Sequence, residues 1–455
     1  MKYVSTRGAS PAISFEDVLL SGPAPDGGLY MPETWPRLDF ARLRGKKLSY
    51  ADLAATVLAL FADREWYEPI DRHAREAYAK FDDAHVVPLR ELGAHRWLLE
   101  LFHGPTLAFK DFALQLLAPL MDEALARRKT RALVVAATSG DTGAAAVAAL
   151  AGRGNIDLVV LHPKGRISDV QRRQMTTATA TNIRNVAIEG TFDDTQSLVK
   201  QLFADHAFAQ AHRLAAINSI NWVRIAAQTA YYLSTSLALG ERPLTFSVPT
   251  GNFGDVFAGY VAKELGVPIK RLIVATNAND ILARAMATGT YARGTVHATL
   301  SPAMDIQVAS NFERLLYEAH GRNAATVQKL MAAFAATGSL TIETTALAAI
   351  QAMFVADRVH EGETLATMKL FHREANLSVD PHTAVGLTAT RKAAETEDVV
   401  TLATAHPAKF PEAVETATGT KPALPERMRW ILTAPERYET LPNAIGPLKE
   451  FISGR

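Results

Sequence analysis

The sequence predicts an α/β protein in which short apolar strands alternate with helices. Helical patterns at 144–150 and 256–265 each follow a strand-sized run and a loop that contains several glycines. Such alternation favours helices packed on mainly parallel sheets. The strand-sized apolar runs lie at 97–101, 132–137, 158–162, 245–248, 271–275 and 399–402.

Roughly the first 95 residues are predicted to form a separate N-terminal domain. Turn-rich segments at 21–28 and 31–36 precede helical patterns at 50–60 and 65–80. At the other end, the stretch from about Pro422 is rich in proline and charge. That composition predicts a wrapped tail rather than a further domain.

Composition narrows the class of protein. The chain has 455 residues and 48% of them are apolar, which is enough for two or three domains with sizeable cores. Its net charge of +1 argues against a nucleic-acid surface, which needs a basic excess. It has no cysteine, so disulfides and thiolate chemistry are excluded. Without a signal-peptide pattern or a membrane-length apolar stretch, it is predicted to be cytoplasmic and to have no membrane partner.

Lys110 lies between two phenylalanines in the segment His-Gly-Pro-Thr-Leu-Ala-Phe-Lys-Asp-Phe at 103–112. Pro105 suits the first turn of a helix, so Lys110 is expected within a helix. Desolvation by aromatic neighbours disfavours the charged amine, and a neutral amine can form a Schiff base with an aldehyde. A lysine on a helix is more often a solvated charge, so the functional interpretation depends on the other segments.

The segment Pro-Thr-Gly-Asn-Phe-Gly-Asp at 249–255 is a candidate phosphate site between a predicted strand and a helix. Gly251 and Gly254 let the backbone turn close to a ligand, and the helix start offers free N–H groups. The Walker and dinucleotide patterns are both absent, which disfavours ATP and NAD. A tight turn without a ligand is the alternative. Because a carboxylate repels phosphate, we expect Asp255 to cap backbone N–H groups and to point away.

The loop Thr-Ser-Gly-Asp-Thr-Gly at 138–143 has the same position after a strand. Its hydroxyl groups and the following helix start suit a carboxylate ligand. An ordinary helix cap explains these residues equally well. The candidate ligand-binding positions are Thr138, Ser139, Asp141 and Thr142.

Further polar positions follow predicted strands or begin a helix. Asn221 and Arg224 share a helix face, and Arg224 suits a second phosphate, although a surface ion pair is the alternative. Thr404 follows the strand 399–402, where open α/β sheets bind ligands. His382 and His406 lie in similar loops, where structural histidines are commoner than catalytic ones. An amine for an aldehyde and a cradle for a phosphate together suit pyridoxal phosphate (PLP).

These segments, in this order, resemble the threonine synthase family. The resemblance covers about residues 3–410 and includes Tyr-Val-Ser-Thr-Arg-Gly near the start and Asp-Gly-Gly-Leu-Tyr-Met-Pro, which are similar to the longer bacterial and fungal branch. The other matching segments are the lysine segment at 103–112, the loop at 138–143, Ser-Ile-Asn at 219–221, Gly-Asn-Phe-Gly-Asp at 251–255 and Thr-Ala-His-Pro-Ala-Lys-Phe at 404–410.

The resemblance implies a fold-type II PLP enzyme, related in architecture to the β subunit of tryptophan synthase. Beside the N-terminal domain it implies two open, mainly parallel α/β domains. The large PLP-binding domain would comprise 96–120 and 243–455, and the small mobile domain 121–242. The implied reaction converts O-phospho-L-homoserine and water to L-threonine and phosphate by γ-elimination and β-addition, as the last step of threonine biosynthesis. A monomer or homodimer without a metal is expected.

Residue by residue, the resemblance implies that Lys110 holds the cofactor as a Schiff base and then moves protons of the substrate. Thr404 would face the pyridine nitrogen and Asn221 the ring oxygen. The loop 138–143 would bind the substrate carboxylate, and Arg224 the substrate phosphate. Closure of the small domain is expected to exclude water until elimination is complete. The positions assigned to the cofactor phosphate are Gly251, Asn252, Phe253, Gly254 and Asp255.

Two other functions remain open on the sequence alone. Another fold-type II enzyme, such as a serine/threonine dehydratase, a β-replacement synthase or a phospho-lyase, would share Lys110 and the phosphate loop. A dehydratase needs no site for a substrate phosphate. A non-catalytic PLP-binding homologue is the second alternative, and the intact Lys110, both anion loops and Thr404 argue against it.

Overall fold

The computed structural model describes residues 1–217 and 219–454. Within these residues, no helix has the length and apolar character required to span a membrane. The strands are β1 (Tyr3–Ser5), β2 (Tyr30–Pro32), β3 (Leu89–Gly93), β4 (Arg96–Glu100), β5 (Ala132–Ala137), β6 (Ile156–Pro163), β7 (Ile183–Glu189), β8 (Leu214–Ala215), β9 (Leu244–Pro249), β10 (Ile269–Thr276), β11 (Thr290–Ala292), β12 (Ser339–Thr341), β13 (Phe354–Arg358), β14 (Val399–Ala403) and β15 (Glu439–Pro442).

Helices connect and cover these strands. The α-helices are α1 (Phe15–Leu20), α2 (Phe40–Leu43), α3 (Tyr50–Leu60), α4 (Tyr67–Tyr78), α5 (Lys110–Arg127), α6 (Asp141–Leu150), α7 (Asp169–Thr176), α8 (Phe192–Ala204), α9 (His206–Ala211), α10 (Trp222–Leu239), α11 (Gly254–Leu265), α12 (Ile281–Thr288), α13 (Phe312–Ala319), α14 (Ala324–Thr337), α15 (Thr344–Met353), α16 (Glu361–Ala375), α17 (Pro381–Ala389), α18 (Pro411–Thr418) and α19 (Ile445–Ser453). Short 3-10 helices span Arg64–Trp66, Pro302–Met304, Thr390–Lys392, Pro407–Lys409 and Glu426–Leu432.

The larger sheet has the strand order β13-β10-β9-β14-β4-β3. All neighbouring strands are parallel except β3 and β4, which pair antiparallel at one edge. β9 and β14 are buried along their whole length, as expected for central strands covered on both faces. Because β9, β14 and β4 are adjacent and parallel, their carboxyl ends meet at one edge of the sheet.

The smaller sheet has the order β15-β7-β6-β5-β8 and is parallel throughout. Its edge strand β15 comes from the C-terminal segment, and α19 packs in the same apolar core as α8. The expectation that all of 243–455 belongs with the larger sheet is therefore wrong. Leu448 and Ile452 of α19 are buried against Leu198 and Leu202 of α8, and this burial holds the segment on the smaller sheet.

The N-terminal segment packs on two helices that lead to the site. α3 lies against α10, and α4 lies against α5. Tyr3, Phe15 and Trp66 share one apolar core with Trp222 at the start of α10. The predicted boundary near residue 95 is too late, because β3 already belongs to the larger sheet.

Helix α5 begins at Lys110 and not near Pro105, as the sequence had suggested. The preceding residues form a loop in which the Asp111 carboxylate accepts hydrogen bonds from the Thr106 N–H and hydroxyl, both at 2.7 Å. Leu107 has a φ of 62°, which interrupts any helix at that point. The first turns of α5 are buried on every side, so no polar face marks where the helix starts.

Candidate active site

Three neighbouring strands of the larger sheet lead to most of the predicted cofactor residues. The loop 249–255 follows β9, Thr404 follows β14, and the chain beyond β4 leads to Lys110. The Phe109 N–H donates to the carbonyl oxygen of Thr404 at 2.9 Å, which fixes Lys110 beside the end of β14. The hydroxyl of Thr404 has no hydrogen bond to the residues that the structure describes. It is therefore available to a ligand.

The side chain of Lys110 is mostly buried between an aromatic ring and charged groups. Its Nζ lies 4.6 Å from the centre of the Phe109 ring and 3.5 Å from Oδ2 of Asp141. Burial lowers the pKa of Lys110; the positive charges of Lys409 and Arg224 lower it further, and Asp141 acts in the opposite direction. A lowered pKa increases the fraction of neutral amine, which is the form that attacks an aldehyde.

The loop after β9 has the free donors that a phosphate requires. Phe253 has a φ of 64° and turns the chain into α11. Within the described chain, the backbone N–H groups of Gly251, Asn252 and Phe253 donate no hydrogen bonds. A Cβ atom on Gly251 would lie 2.6 Å from the carbonyl oxygen of Ala303, so a side chain would displace the loop. These features fit the phosphate group of PLP.

Asp255 does not cap backbone N–H groups, so that expectation is wrong. Its Oδ1 accepts the hydroxyl groups of Tyr231 at 2.5 Å and Tyr232 at 3.0 Å, both on α10. Its Oδ2 is buried without a partner among the described residues. Burial raises the pKa of Asp255 to about 6. The packing of α10 on α11 supplies the tyrosines that bind this carboxylate.

The loop after β5 is shaped by its own threonine. The Thr138 hydroxyl oxygen accepts the N–H groups of Gly140 at 2.9 Å and Gly143 at 2.8 Å. The Thr138 hydroxyl oxygen therefore holds the turn by accepting these two N–H groups. Ser139 and Thr142 are partly exposed, and their hydroxyl groups bind no other described residue. These two hydroxyl groups are free to donate to a ligand.

Asp141, at the start of α6, is surrounded by donors. Its Oδ1 accepts from Nε2 of Gln171 at 2.9 Å and lies 3.2 Å from Nζ of Lys409, while Oδ2 faces Lys110. Burial alone would raise the pKa of Asp141, but Lys409 and Lys110 hold it well below its usual range. A carboxylate repels a substrate carboxylate, so these contacts disfavour the predicted substrate role of Asp141 and place it between two amines.

Asn221 is not available to the cofactor, contrary to the prediction. Its amide nitrogen donates to the carbonyl oxygens of Val18, Leu19 and Ser21 at 3.0–3.2 Å. Its Oδ1 accepts the Val223 N–H at 2.9 Å and caps α10. Every polar atom of the side chain is therefore used in joining α10 to the N-terminal segment. Asn218, in the same sequence segment, lies outside the described residues.

Arg224 is a buried cation, not a member of a surface ion pair. Its Nη1 lies 3.5 Å from the Ile217 carbonyl oxygen, and its Nε has no hydrogen-bond partner among the described residues. Burial lowers the pKa of Arg224 to about 10. No described carboxylate forms a salt bridge with it. A buried arginine with free donors near Lys110 suits an anionic group of a ligand.

The two histidines of the site region have structural partners. Nδ1 of His382 lies 2.7 Å from the Asp380 carboxylate, and Nε2 accepts the Ala303 N–H at 3.2 Å. This holds the segment that faces Gly251. His406 accepts the Ala408 N–H through Nδ1 at 3.1 Å, and burial lowers the pKa of His406 to about 4. These contacts support structural roles for both rings.

Sequence reasoning gave no role to Lys409, although it lies within the segment 404–410. The side chain is fully buried. Its Nζ donates to the Thr106 carbonyl oxygen at 2.6 Å and to Oε1 of Gln174 at 2.9 Å, in addition to facing Asp141. The lysine was visible in the sequence, but its partners come from segments that only the fold brings together.

Comparisons with known proteins agree with this arrangement. The family model described as "Pyridoxal-phosphate dependent enzyme" matches residues 81–362. Those described as "Threonine synthase N terminus" and "Threonine synthase, C-terminal" match residues 2–78 and 383–452. Together the three cover most of the chain, including its two ends.

Individual relatives are similar over nearly their full length. A threonine synthase of Pseudomonas aeruginosa is 48% identical, with 100% of this chain and 98% of the relative covered. The crystal structure of a PLP-bound threonine synthase from Brucella melitensis superposes with a TM-score of 0.96 at 48% identity, covering 99% and 98% of the two chains. The yeast threonine synthase structure gives 0.93 at 37% identity, with the same coverage.

Proposed function

We infer that this chain, which belongs to the threonine synthase family, converts O-phospho-L-homoserine and water to L-threonine and phosphate with PLP as cofactor. The observation that carries the assignment is the meeting of Lys110, the free N–H groups of 251–253 and Thr404 at adjacent strand ends. It supplies separate partners for an aldehyde, a phosphate and a ring nitrogen. The similarity spans nearly the full length of both this chain and its relatives, which supports assigning the reaction as well as the family.

We assign the cofactor contacts to residues whose polar atoms are free. Lys110 would bind the aldehyde, Gly251, Asn252 and Phe253 would donate backbone N–H groups to the phosphate, and Thr404 would meet the pyridine nitrogen. PLP supplies an electron sink that stabilises negative charge on the α-carbon of a bound amino acid. A neutral hydroxyl at the ring nitrogen limits that charge storage, because unlike a carboxylate it does not favour a protonated ring.

Lys110 would have a second role as a base. Its amine, when not bound to the aldehyde, would accept the proton of the substrate α-carbon, and its lowered pKa suits it to do so. Asp141, at 3.5 Å, can accept a hydrogen bond from the amine after it is protonated. Lys110 returns a proton to the same carbon at the end of the reaction. One residue therefore anchors the cofactor and carries the proton.

The substrate requires two anion sites besides the cofactor phosphate. Ser139 and Thr142 keep free hydroxyl groups at the start of α6, where the helix end favours a carboxylate. Arg224 keeps free donors in a buried setting and is assigned to the leaving phosphate. A dehydratase for unphosphorylated serine or threonine has no use for that second cationic site.

The test is product analysis with the PLP-loaded protein and O-phospho-L-homoserine. We expect phosphate and L-threonine in equal amounts, and no turnover by the variant Lys110→Ala. Phosphate with 2-oxobutyrate would identify a phospho-lyase, and deamination of serine or threonine alone a dehydratase. A protein that binds PLP but turns over none of these would be a non-catalytic homologue.

The cytoplasmic location and the monomeric or homodimeric state remain predictions. A biosynthetic enzyme that uses soluble phosphorylated amino acids is expected where those metabolites are made. Size-exclusion chromatography with light scattering on the PLP-loaded protein tests the assembly state.

A further inference from the structure

Lys409 joins residues that lie on the two sides of the candidate site. It belongs to the 3-10 helix after β14 of the larger sheet. Its Nζ contacts Thr106, before α5, and also Gln174 and Asp141, which belong to helices of the smaller sheet. An ammonium group has three N–H donors and no acceptor, and three oxygen acceptors surround it. These three contacts hold the Lys409 ammonium group in one position.

The same carboxylate faces both lysines. Asp141 presents Oδ1 to Lys409 at 3.2 Å and Oδ2 to Lys110 at 3.5 Å. Gln171 adds a second donor to Oδ1, which leaves Oδ2 to Lys110. If Lys110 were the sole cation beside a buried carboxylate, the ion pair would hold the proton on the amine. An amine so held could not attack the cofactor or accept a proton.

We propose that Lys409 is a positioning residue for the cofactor-binding amine: it engages Asp141 and so limits how strongly that carboxylate holds a proton on Lys110. Lys409 does not touch the reacting atoms; it acts through Asp141. The lowered pKa of Lys110 agrees in sign: burial is its largest cause, Asp141 opposes the lowering, and the charge of Lys409 adds to it. This inference rests on the proposed role of Lys110.

The test measures the proton affinity of Lys110 without requiring catalysis. In the full chain freed of cofactor, reductive methylation of Lys110 with formaldehyde is followed by peptide mass spectrometry across a pH series. Lys409→Met should move the midpoint upward by about half a pH unit or more, and Asp141→Asn should move it downward. The double variant should lie close to Asp141→Asn, because Lys409 acts through Asp141 and its removal should have little further effect once that carboxylate is gone.

A second measurement uses the holoenzyme, in which the visible band of lysine-bound PLP is titrated with pH. The midpoint of this titration should shift in the same direction as the methylation midpoint in Lys409→Met, Asp141→Asn and the double variant. The other titratable groups that act on this pair are Arg224, Asp255 and His382, and they remain unchanged in each variant. Methylation needs neither PLP nor substrate. A failed activity assay would therefore contradict the proposed function, whereas an absent pH shift would contradict the role of Lys409.

Matched variants separate charge from packing. Lys409→Arg keeps the charge and should keep the midpoint near that of the unchanged chain. Lys263→Met removes a half-buried lysine whose Nζ donates to the Ile269 carbonyl oxygen, and it should leave the midpoint in place. In Lys409→Met, the Thr106 carbonyl oxygen retains the Gln174 Nε2 donor at 3.0 Å. Lys409→Gln serves if the methionine variant folds poorly.

Two results would overturn the proposal. One is a folded Lys409→Met or Lys409→Gln chain whose Lys110 midpoint stays within about 0.2 pH units of the unchanged chain, which is the precision of such a titration. The other is failure of both neutral variants to fold, since that would make Lys409 a structural link between the two sheets and no more.

Discussion

The amine of Lys110 lies 3.5 Å from the carboxylate of Asp141, although the two residues follow strands of different sheets. Lys110 begins α5 after the larger sheet, and Asp141 begins α6 after the smaller one. Movement of one sheet relative to the other would change this distance. The electrostatics of the Lys110 amine are therefore coupled to the arrangement of the two sheets, which is also what domain closure would alter.

Arg224→Met should weaken binding of the substrate more than binding of the cofactor. A charge-assisted hydrogen bond contributes roughly 1.5–3 kcal/mol, so we expect KM for O-phospho-L-homoserine to rise about 10- to 100-fold. The PLP dissociation constant should change less than threefold, roughly. Steady-state kinetics and PLP titration measure the two effects. A larger loss of PLP affinity than of substrate affinity would assign Arg224 to the cofactor phosphate instead.

Gly251→Ala should displace the phosphate loop. The new Cβ would lie 2.6 Å from the Ala303 carbonyl oxygen. Because this is a backbone atom, it cannot move away by a side-chain rotation. We expect the PLP dissociation constant to rise at least about tenfold, which corresponds to roughly 1.4 kcal/mol. Gly362→Ala is the matched control, because no atom lies within 4 Å of its added Cβ. Equal PLP affinity in the two variants would refute the cradle at 251–253.

Asp255→Asn should change how stability depends on pH. The folded-state pKa of Asp255 is raised from 3.8 to about 6, so the folded protein binds a proton more tightly than the unfolded chain. Stability from this group is present below pH 3.8 and is lost as pH rises through about 6. The stability of the asparagine variant relative to the unchanged chain should therefore rise across this window, by about 3 kcal/mol.

Chemical denaturation of the cofactor-free protein at a series of pH values checks this sign. Each variant is compared with the unchanged chain at the same pH, so that other titrating groups cancel. A difference that stays constant between pH 4 and 7, approximately, would mean that Asp255 does not titrate in this range.

Asn221→Ala should lower stability while leaving the cofactor site competent. The change removes a helix cap and three donor contacts to the N-terminal segment, for an expected cost of roughly 2–3 kcal/mol. Asn323→Ala is a control, because that side chain caps α14 through a single hydrogen bond to the Thr326 N–H and should cost less. Thermal unfolding and the visible spectrum with PLP distinguish the outcomes. A large loss of PLP affinity without loss of stability would restore the cofactor role.

The local part of the fold and site was predictable from the sequence. The strand at 132–137 matches β5, and the loops 138–143 and 249–255 lie at strand ends, because apolar runs and glycine positions are local signals. β15 could not be placed, because its pairing with β7 depends on contacts across more than 200 residues of chain. The partners of Asn221 and Lys409 were hidden for the same reason. Which donors of a side chain stay free for a ligand is known only when the tertiary contacts of its other donors are known.

The most direct test locates the lysine that binds PLP. The PLP-loaded protein is reduced with borohydride, which fixes the lysine–cofactor bond, and the modified residue is identified by peptide mass spectrometry. We expect a single phosphopyridoxyl modification on Lys110 and none in Lys110→Ala. Modification of Lys409, the other buried lysine beside Asp141, or of any other residue in the unchanged chain would contradict it.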